Sequence, residues 1–407
     1  MDKKATIQQY DIPERKGHEA IFDASYLDDI QTYISKWQSQ RIILVVSKGL
    51  YTSYDHVQRL EKVLGDRLAG KKLGVGSHSP YKDVIEIAHL LQEHNADCLI
   101  SLGSGSYNDA SKIAVYLQTS MPTHFSANDM EASIDQTRGF GYLTPATAKL
   151  ILVPTSLSAG EWNGTGSCTN SRGKKQHYGL QNHCDGGADL IVCDPELAST
   201  APEKLWLSSG VRCIDHCVET VTNTQCTSEA EHDALDGLAW MLRGLAEYHD
   251  GKDGEGNRQA MLRGISECQR GSRQAIKGLI VHRNTFGPSH AIGHQLGSAA
   301  GVMHGITSCV ILPAVLEYTQ PRTEEAQRKV LDVFNSTLEW EERSASAALV
   351  RFVKMLGLPT SLAEVGVRDS AVIEQIAEKT MTDVWGGGKA SLNKEDILEI
   401  LNLARGS

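Results

Sequence analysis

Four histidines, His282, His290, His294 and His304, fall within Val281–Pro313, among small and apolar residues. His290 and His294 are four apart, so on a helix they share one face. Gly287, Ala291, Gly293, Gly297, Ser298, Ala299, Ala300 and Gly301 leave room for other backbone or a ligand to come close. The glycine-punctuated stretch Met303-His304-Gly305 can return a third imidazole to the same pocket. A tightly packed helix with capping or core histidines is the plainer alternative, but three imidazoles in such surroundings point to a site.

A second chemical signal is Gly103-Ser-Gly-Ser-Tyr-Asn-Asp-Ala-Ser-Lys112, which follows a buried strand and opens a helix. Its glycines allow backbone amides and a helix N-terminus to meet a phosphate, although the spacing GxGSxxD is not the usual dinucleotide fingerprint. Pro154-Thr-Ser-Leu-Ser-Ala-Gly-Glu161 puts hydroxyls and small residues at the carboxyl end of another strand. There they can meet a ligand lying across the sheet edge, or form an ordinary polar loop.

The elements that must position these groups alternate. After a polar lead-in, Phe22 opens a helix running toward Trp37, and helical patterns follow over Ser53–Leu68 and Asp83–His94. Arg41–Val46, Lys72–Gly76, Asp97–Leu102, Ala148–Val153 and Gly187–Asp194 read as strands, so a parallel sheet covered on both faces is expected. Ser126–Phe140 reads as a polar surface excursion. From Pro202 onward helical patterns succeed one another with little strand signal, including Pro202–Thr222, Glu229–His249, Arg258–Lys277, Glu324–Phe334, Ala345–Leu356, Ser370–Thr380 and Asn393–Ala404. The expected organisation is a nucleotide-binding α/β domain over 1–198 and a helical domain over 199–407, with the default binding site in a cleft between them.

Composition narrows the function. The 407 residues are 41% hydrophobic and 22% charged, with a net charge of −10, which offers no broad cationic surface for nucleic acid. No apolar run approaches membrane-spanning length, and the N-terminus lacks the apolar core of a signal peptide. Nine scattered cysteines without a CxxC pair suit buried thiols in a reducing compartment. A cytoplasmic protein acting on a small molecule is expected.

Taken in order, these pieces resemble the iron-containing alcohol dehydrogenase superfamily from Phe22 to the final helix, closest in pattern to its maleylacetate reductase-like branch. The resemblance is carried by Gly103–Lys112, Pro154-Thr-Ser, Asp194-Pro195, Ser209-Gly-Val-Arg-Cys-Ile-Asp-His-Cys-Val-Glu219 and the histidine stretch ending in Leu312-Pro313. It implies a Rossmann-like parallel-sheet domain followed by an all-α domain, the dehydroquinate synthase-like architecture, with NAD(P) as cofactor. It also implies that Gly103, Gly105 and Ser106 meet the pyrophosphate, and that Asp109, Thr155 and Ser156 orient ribose and nicotinamide. Ser47 falls where NAD-dependent relatives often carry an aspartate that repels a 2′-phosphate, so NADPH is admissible beside NADH.

In that family an aspartate and three histidines hold a divalent metal, the aspartate lying four residues before the first histidine. The histidines match His216, His290 and His304, and His294 matches a further histidine near substrate and nicotinamide. Arg212 stands at the aspartate position. A guanidinium cannot ligate a cation and repels one beside it, which argues against tightly bound Fe or Zn. It suits a carboxylate or a developing oxyanion instead, unless it simply pairs with Asp215 along its own helix.

The expected activity is therefore NAD(P)H-dependent reduction of an oxo acid or related carbonyl or conjugated substrate. Arg212 and a charged histidine would stabilise the oxyanion, with His294 the first choice of proton donor and His290 the second. Two alternatives keep the fold: a non-redox lyase, isomerase or cyclase, and a metal-dependent alcohol dehydrogenase. A homodimer would be common at this size.

Overall fold

The computed structural model describes residues 4–135, 139–181, 186–252, 257–383 and 392–406, so Cys184 and the first three residues lie outside it. Two compact units, Met1–Ala201 and Pro202–Ser407, divide the chain.

In the first unit the strands are β1 (Ala5–Gln8), β2 (Glu19–Phe22), β3 (Ile42–Val46), β4 (Leu68–Leu73), β5 (Cys98–Gly103), β6 (Ile134–Asp135), β7 (Phe140–Tyr142), β8 (Lys149–Pro154), β9 (Gly166–Thr169), β10 (Lys175–Gly179) and β11 (Leu190–Cys193). Seven of them form one sheet in the order β1-β2-β11-β8-β5-β3-β4. All its pairings are parallel except β1 with β2. Every residue of β3, β5 and β11 is buried, which is why they read as unbroken apolar runs. Three expectations are corrected, the first being the strand read at Lys72–Gly76, which is β4 at Leu68–Leu73. The polar lead-in supplies the short strands β1, at the sheet edge, and β2, which ends at Phe22, so the helix expected to open there starts at Tyr26. The excursion after Ser126 is a capped helix, Ala127–Ala132, followed by β6, which joins β7, β10 and β9 in a second, four-stranded sheet.

The regular elements of the second unit are all helices among its described residues. Glu203–Val221 is its central helix, buried continuously from Trp206 to Val221. Pro288–Ala300 carries the histidine pair and ends at Gly301, whose φ of +67° permits the left-handed cap. His304 then begins a helix that continues to Leu338, so Leu312-Pro313 lies within a helix and Glu324–Phe334 is part of a longer one. Thr323, with φ of −132°, marks a kink beyond Pro321, where proline removes a backbone donor. Among the described residues no helix is long and apolar enough to cross a membrane.

Candidate active site

Strand register assembles the first unit's expected cofactor residues at one sheet edge. β5 pairs with β3 through Leu102 and Val46 and with β8 through Gly103 and Pro154. Ser47 N donates to Leu102 O at 3.0 Å and Thr155 N to Gly103 O at 3.0 Å, so Ser47, Gly103 and Thr155 are neighbours at the carboxyl ends of three strands. Ser47 also accepts from Leu50 N at 3.5 Å and so caps the Lys48–Ser53 helix.

The glycine turn is close-packed. A Cβ on Gly103 would sit 2.4 Å from the Tyr107 ring, and one on Gly105 would sit 2.5 Å from Ser158 Oγ. Ser104, the N-cap of the Gly105–Ser120 helix, makes no side-chain capping bond, which leaves first-turn amides to another acceptor. Ser106 Oγ accepts from His78 N at 3.1 Å. Asp109 is held within the unit: it accepts from Ser167 Oγ at 2.8 Å and pairs with the buried Lys112 at 2.9 Å. Ser156 is buried, with its Oγ 3.5 Å from Ser158 Oγ.

Behind this turn lies Glu161, which sequence reading passed over. Asn108 Nδ2 donates to its Oε2 at 3.1 Å. Burial pushes its carboxyl up to about 7, although Lys112 and backbone hydrogen bonding pull the other way.

In the second unit Arg212, Asp215, His216 and Glu219 form an i, i+3, i+4, i+7 stripe on one buried helix. Arg212 Nη1 donates to Ser308 Oγ at 2.9 Å and pairs with Asp215 Oδ2 at 3.4 Å, so the local pairing occurs. Asp215 Oδ2 also accepts from Ser308 Oγ at 2.5 Å and Ser289 Oγ at 2.9 Å. Glu219 accepts from Gly287 N at 2.8 Å and Ser289 N at 2.6 Å, tying the Pro288–Ala300 helix to the central one. Glu219 Oε2 lies 2.6 Å from His290 Nδ1. Close approach here requires glycine, since a Cβ on Gly293 would meet Thr307 Oγ1 at 2.8 Å and one on Gly305 would meet the Ser208 backbone at 2.6 Å.

The four histidines of the opening stretch do not act as one set. His290 stacks on Phe286 at 4.0 Å and on His216 at 5.0 Å. His294 stacks on His304 at 5.7 Å, and its Nδ1 lies 3.2 Å from Asp383. His282 instead joins Lys277 on Asp233, at 2.8 and 2.7 Å. Asp215 was read from sequence as a partner for Arg212, Glu219, Ser289 and Ser308 lie at helical spacing within the same elements, and Phe286 precedes the Pro288–Ala300 helix. Asp383 had no local signal.

Burial is the largest influence on these groups. It holds His216 and His290 far below the usual imidazole range, with Arg212 adding to the effect. It pushes Glu219 well up, with Asp215 adding and the amides of Gly287 and Ser289 opposing. It also raises Asp215 against the pull of Arg212, Ser308 and Ser289. Arg212 Nε, His216 Nδ1, His290 Nε2 and Asp215 Oδ1 are buried polar atoms without a hydrogen-bond partner among the described residues. Such atoms cost free energy unless a ligand or water meets them.

Two sets could hold a divalent cation. The family resemblance implies His216, His290 and His304; the geometry brings together ligand atoms of Asp215, Glu219 and His290 within 4.8 Å of one another. Neutral imidazoles and carboxylates are suitable donors. Against this, Arg212 lies beside Asp215, and both Glu219 oxygens already accept hydrogen bonds that anchor the Pro288–Ala300 helix.

Residues 18–195 match the family described as "Iron-containing alcohol dehydrogenase", and residues 206–405 match "Fe-containing alcohol dehydrogenase family, C-terminal". The chain is 32% identical to Dehydrogenase ALT3 of Alternaria alternata over 402 residues, covering 90% of this chain and 99% of that protein. It is 29% identical to Dehydrogenase FUM7 of Gibberella moniliformis over 404 residues, covering 90% and 91%. The crystal structure of maleylacetate reductase from Agrobacterium tumefaciens superposes with a TM-score of 0.73 at 21% identity, covering 95% of each chain.

Proposed function

Because this chain belongs to the iron-containing alcohol dehydrogenase family and is an NAD(P)-dependent oxidoreductase, we propose that it reduces an oxo acid or a related carbonyl or conjugated substrate without a tightly bound metal. The observation that carries this reading is the buried guanidinium of Arg212 in the histidine cluster, with Nε still unpartnered. A fixed cation with an unspent N–H suits a substrate carboxylate or the oxyanion that develops during reduction.

Bound NAD(P)H supplies the hydride. The Gly103–Ser106 turn and its uncapped helix N-terminus bind the pyrophosphate, and Thr155 and Ser156 orient the sugar and nicotinamide. Arg212 stabilises negative charge on the substrate. His294 supplies the proton, because burial and the nearby Arg212 hold His290 far below the usual imidazole range and so in its neutral form.

The test is nicotinamide absorbance with NADPH and with NADH, using maleylacetate, 4-oxobutanoate and butanal as probes. One of the two acids should exceed butanal in kcat/KM by about tenfold or more, the value of one good interaction. Preference for butanal would sink carboxylate recognition, and product formation without nicotinamide consumption would favour non-redox chemistry.

The Asp215, Glu219 and His290 cluster favours a second reading, a metal-dependent dehydrogenase. Those residues, or His216, His290 and His304, would hold the cation, which would polarise the substrate oxygen. Stoichiometric Fe or Zn in purified protein, with activity lost on chelation and restored by the ion, would establish that reading over the first.

A further inference from the structure

We propose that Asp383 is a positioning residue for His294. Its carboxylate holds the ring by Nδ1–H and so presents Nε2 to the substrate oxygen. The inference rests on the reductase reading above, in which His294 supplies the proton. His294 Nδ1 lies 3.3 and 3.2 Å from the two carboxylate oxygens, an approach shared between both. The carboxylate is itself held: Gln295 Nε2 donates to Oδ2 at 2.8 Å, and Asp383 N donates to Thr380 O at 3.1 Å where the Ser370–Thr380 helix ends. His304 stacks on the ring at an interplanar angle of 12°. One ring nitrogen and one ring face are thereby fixed by two groups from outside its own helix, Asp383 and His304. An ionised carboxylate only accepts, so the shared proton belongs to Nδ1, and the partner of one ring nitrogen decides the role of the other.

In the step this serves, hydride adds to the carbonyl carbon and the π pair moves to oxygen. The Nε2–H bond of the imidazolium breaks toward that oxygen, leaving a neutral ring with Nδ1–H still on Asp383. Solvent later returns the proton. Asp383 does not touch the substrate; it acts through the ring.

The experiment is a double-mutant cycle on the full-length enzyme with NADPH and whichever of the three probe carbonyls turns over fastest, alongside a nitrogen-15 histidine spectrum. His294→Ala should lower kcat roughly 100-fold, the low end of general-acid contributions. Asp383→Asn should lower it about tenfold with the KM for NADPH unchanged, Asp383→Glu should recover part of that loss, and Asp383→Asn should add nothing in the His294→Ala background. Additive losses would mean that Asp383 acts elsewhere and would overturn the proposal. Unchanged turnover in His294→Ala would remove His294 as proton donor and the proposal with it, while the reductase reading would survive. Turnover of none of the probes would count against the reductase reading, and the spectrum would then decide the positioning by itself. In that spectrum the resonance missing from His294→Ala should show Nδ1–H in the wild type and Nε2–H in Asp383→Ala. A wild-type ring protonated on Nε2 alone would overturn the proposal.

Discussion

Arg212 Nη1 stands 3.4 Å from Asp215 Oδ2, one turn along the same helix, and both side chains are buried. The cation that replaces the family's metal-binding aspartate is thus paired with a carboxylate of its own helix. Removing one member of such a pair leaves the other uncompensated. Arg212→Met should cost about 3–5 kcal/mol. Arg212→Met with Asp215→Asn should recover part of it. Urea denaturation of both variants measures the difference, and an unchanged midpoint in Arg212→Met would mean that the pair is not coupled to folding.

Glu219 fixes the start of the Pro288–Ala300 helix through two backbone N–H groups and touches His290 through the same carboxylate. Its removal should cost about 3 kcal/mol, since each buried N–H left without its partner costs roughly 1–3 kcal/mol and the losses are not fully additive. Glu219→Ala should also speed amide exchange at Gly287 and Ser289. Protection of those amides at the wild-type level would contradict the anchoring role.

Glu161 makes stability depend on pH. Its carboxyl is raised from 4.5 to about 7 in the folded protein, so between those values the folded state binds more protons than the unfolded one. Stability is therefore lost as pH rises through this window, and the full cost is present above about 7. Glu161→Gln carries no such charge. Its stability relative to wild type should rise by about 3 kcal/mol between pH 4.5 and 8. Parallel pH profiles of unfolding free energy would show that Glu161 titrates normally.

Gly103→Ala would drive a methyl into the Tyr107 ring at the turn assigned to the pyrophosphate. Overpacking of this kind costs about 1–3 kcal/mol. NADPH affinity, followed by fluorescence titration, should fall about tenfold or more, since each 1.4 kcal/mol is a factor of ten. An unchanged affinity with reduced stability would place the cofactor phosphates elsewhere.

The sequence by itself determined the alternation of β3, β4, β5, β8 and β11 with helices, the helical character of the second half, the glycine turn after β5, the stripe around His216 and the return of His304 near His294. These depend on short spacings, such as unbroken apolar runs in β3 and β5 or i, i+4 pairs on a helix, and local periodicity carries them. It also gave Arg212 as a departure from its family and Asp215 as a neighbour able to pair with it. Tertiary structure alone decided the rest. Strand β2 is held by β11, far along the chain, and β7 pairs with β10 in a separate sheet rather than with its sequence neighbour β8. The four histidines were separated into different roles by Glu219, Asp383 and Asp233, and His294 lies 89 residues from Asp383. A buried ring takes whichever carboxylate packing brings within hydrogen-bond reach, and that choice is made by long-range burial, which no local pattern records.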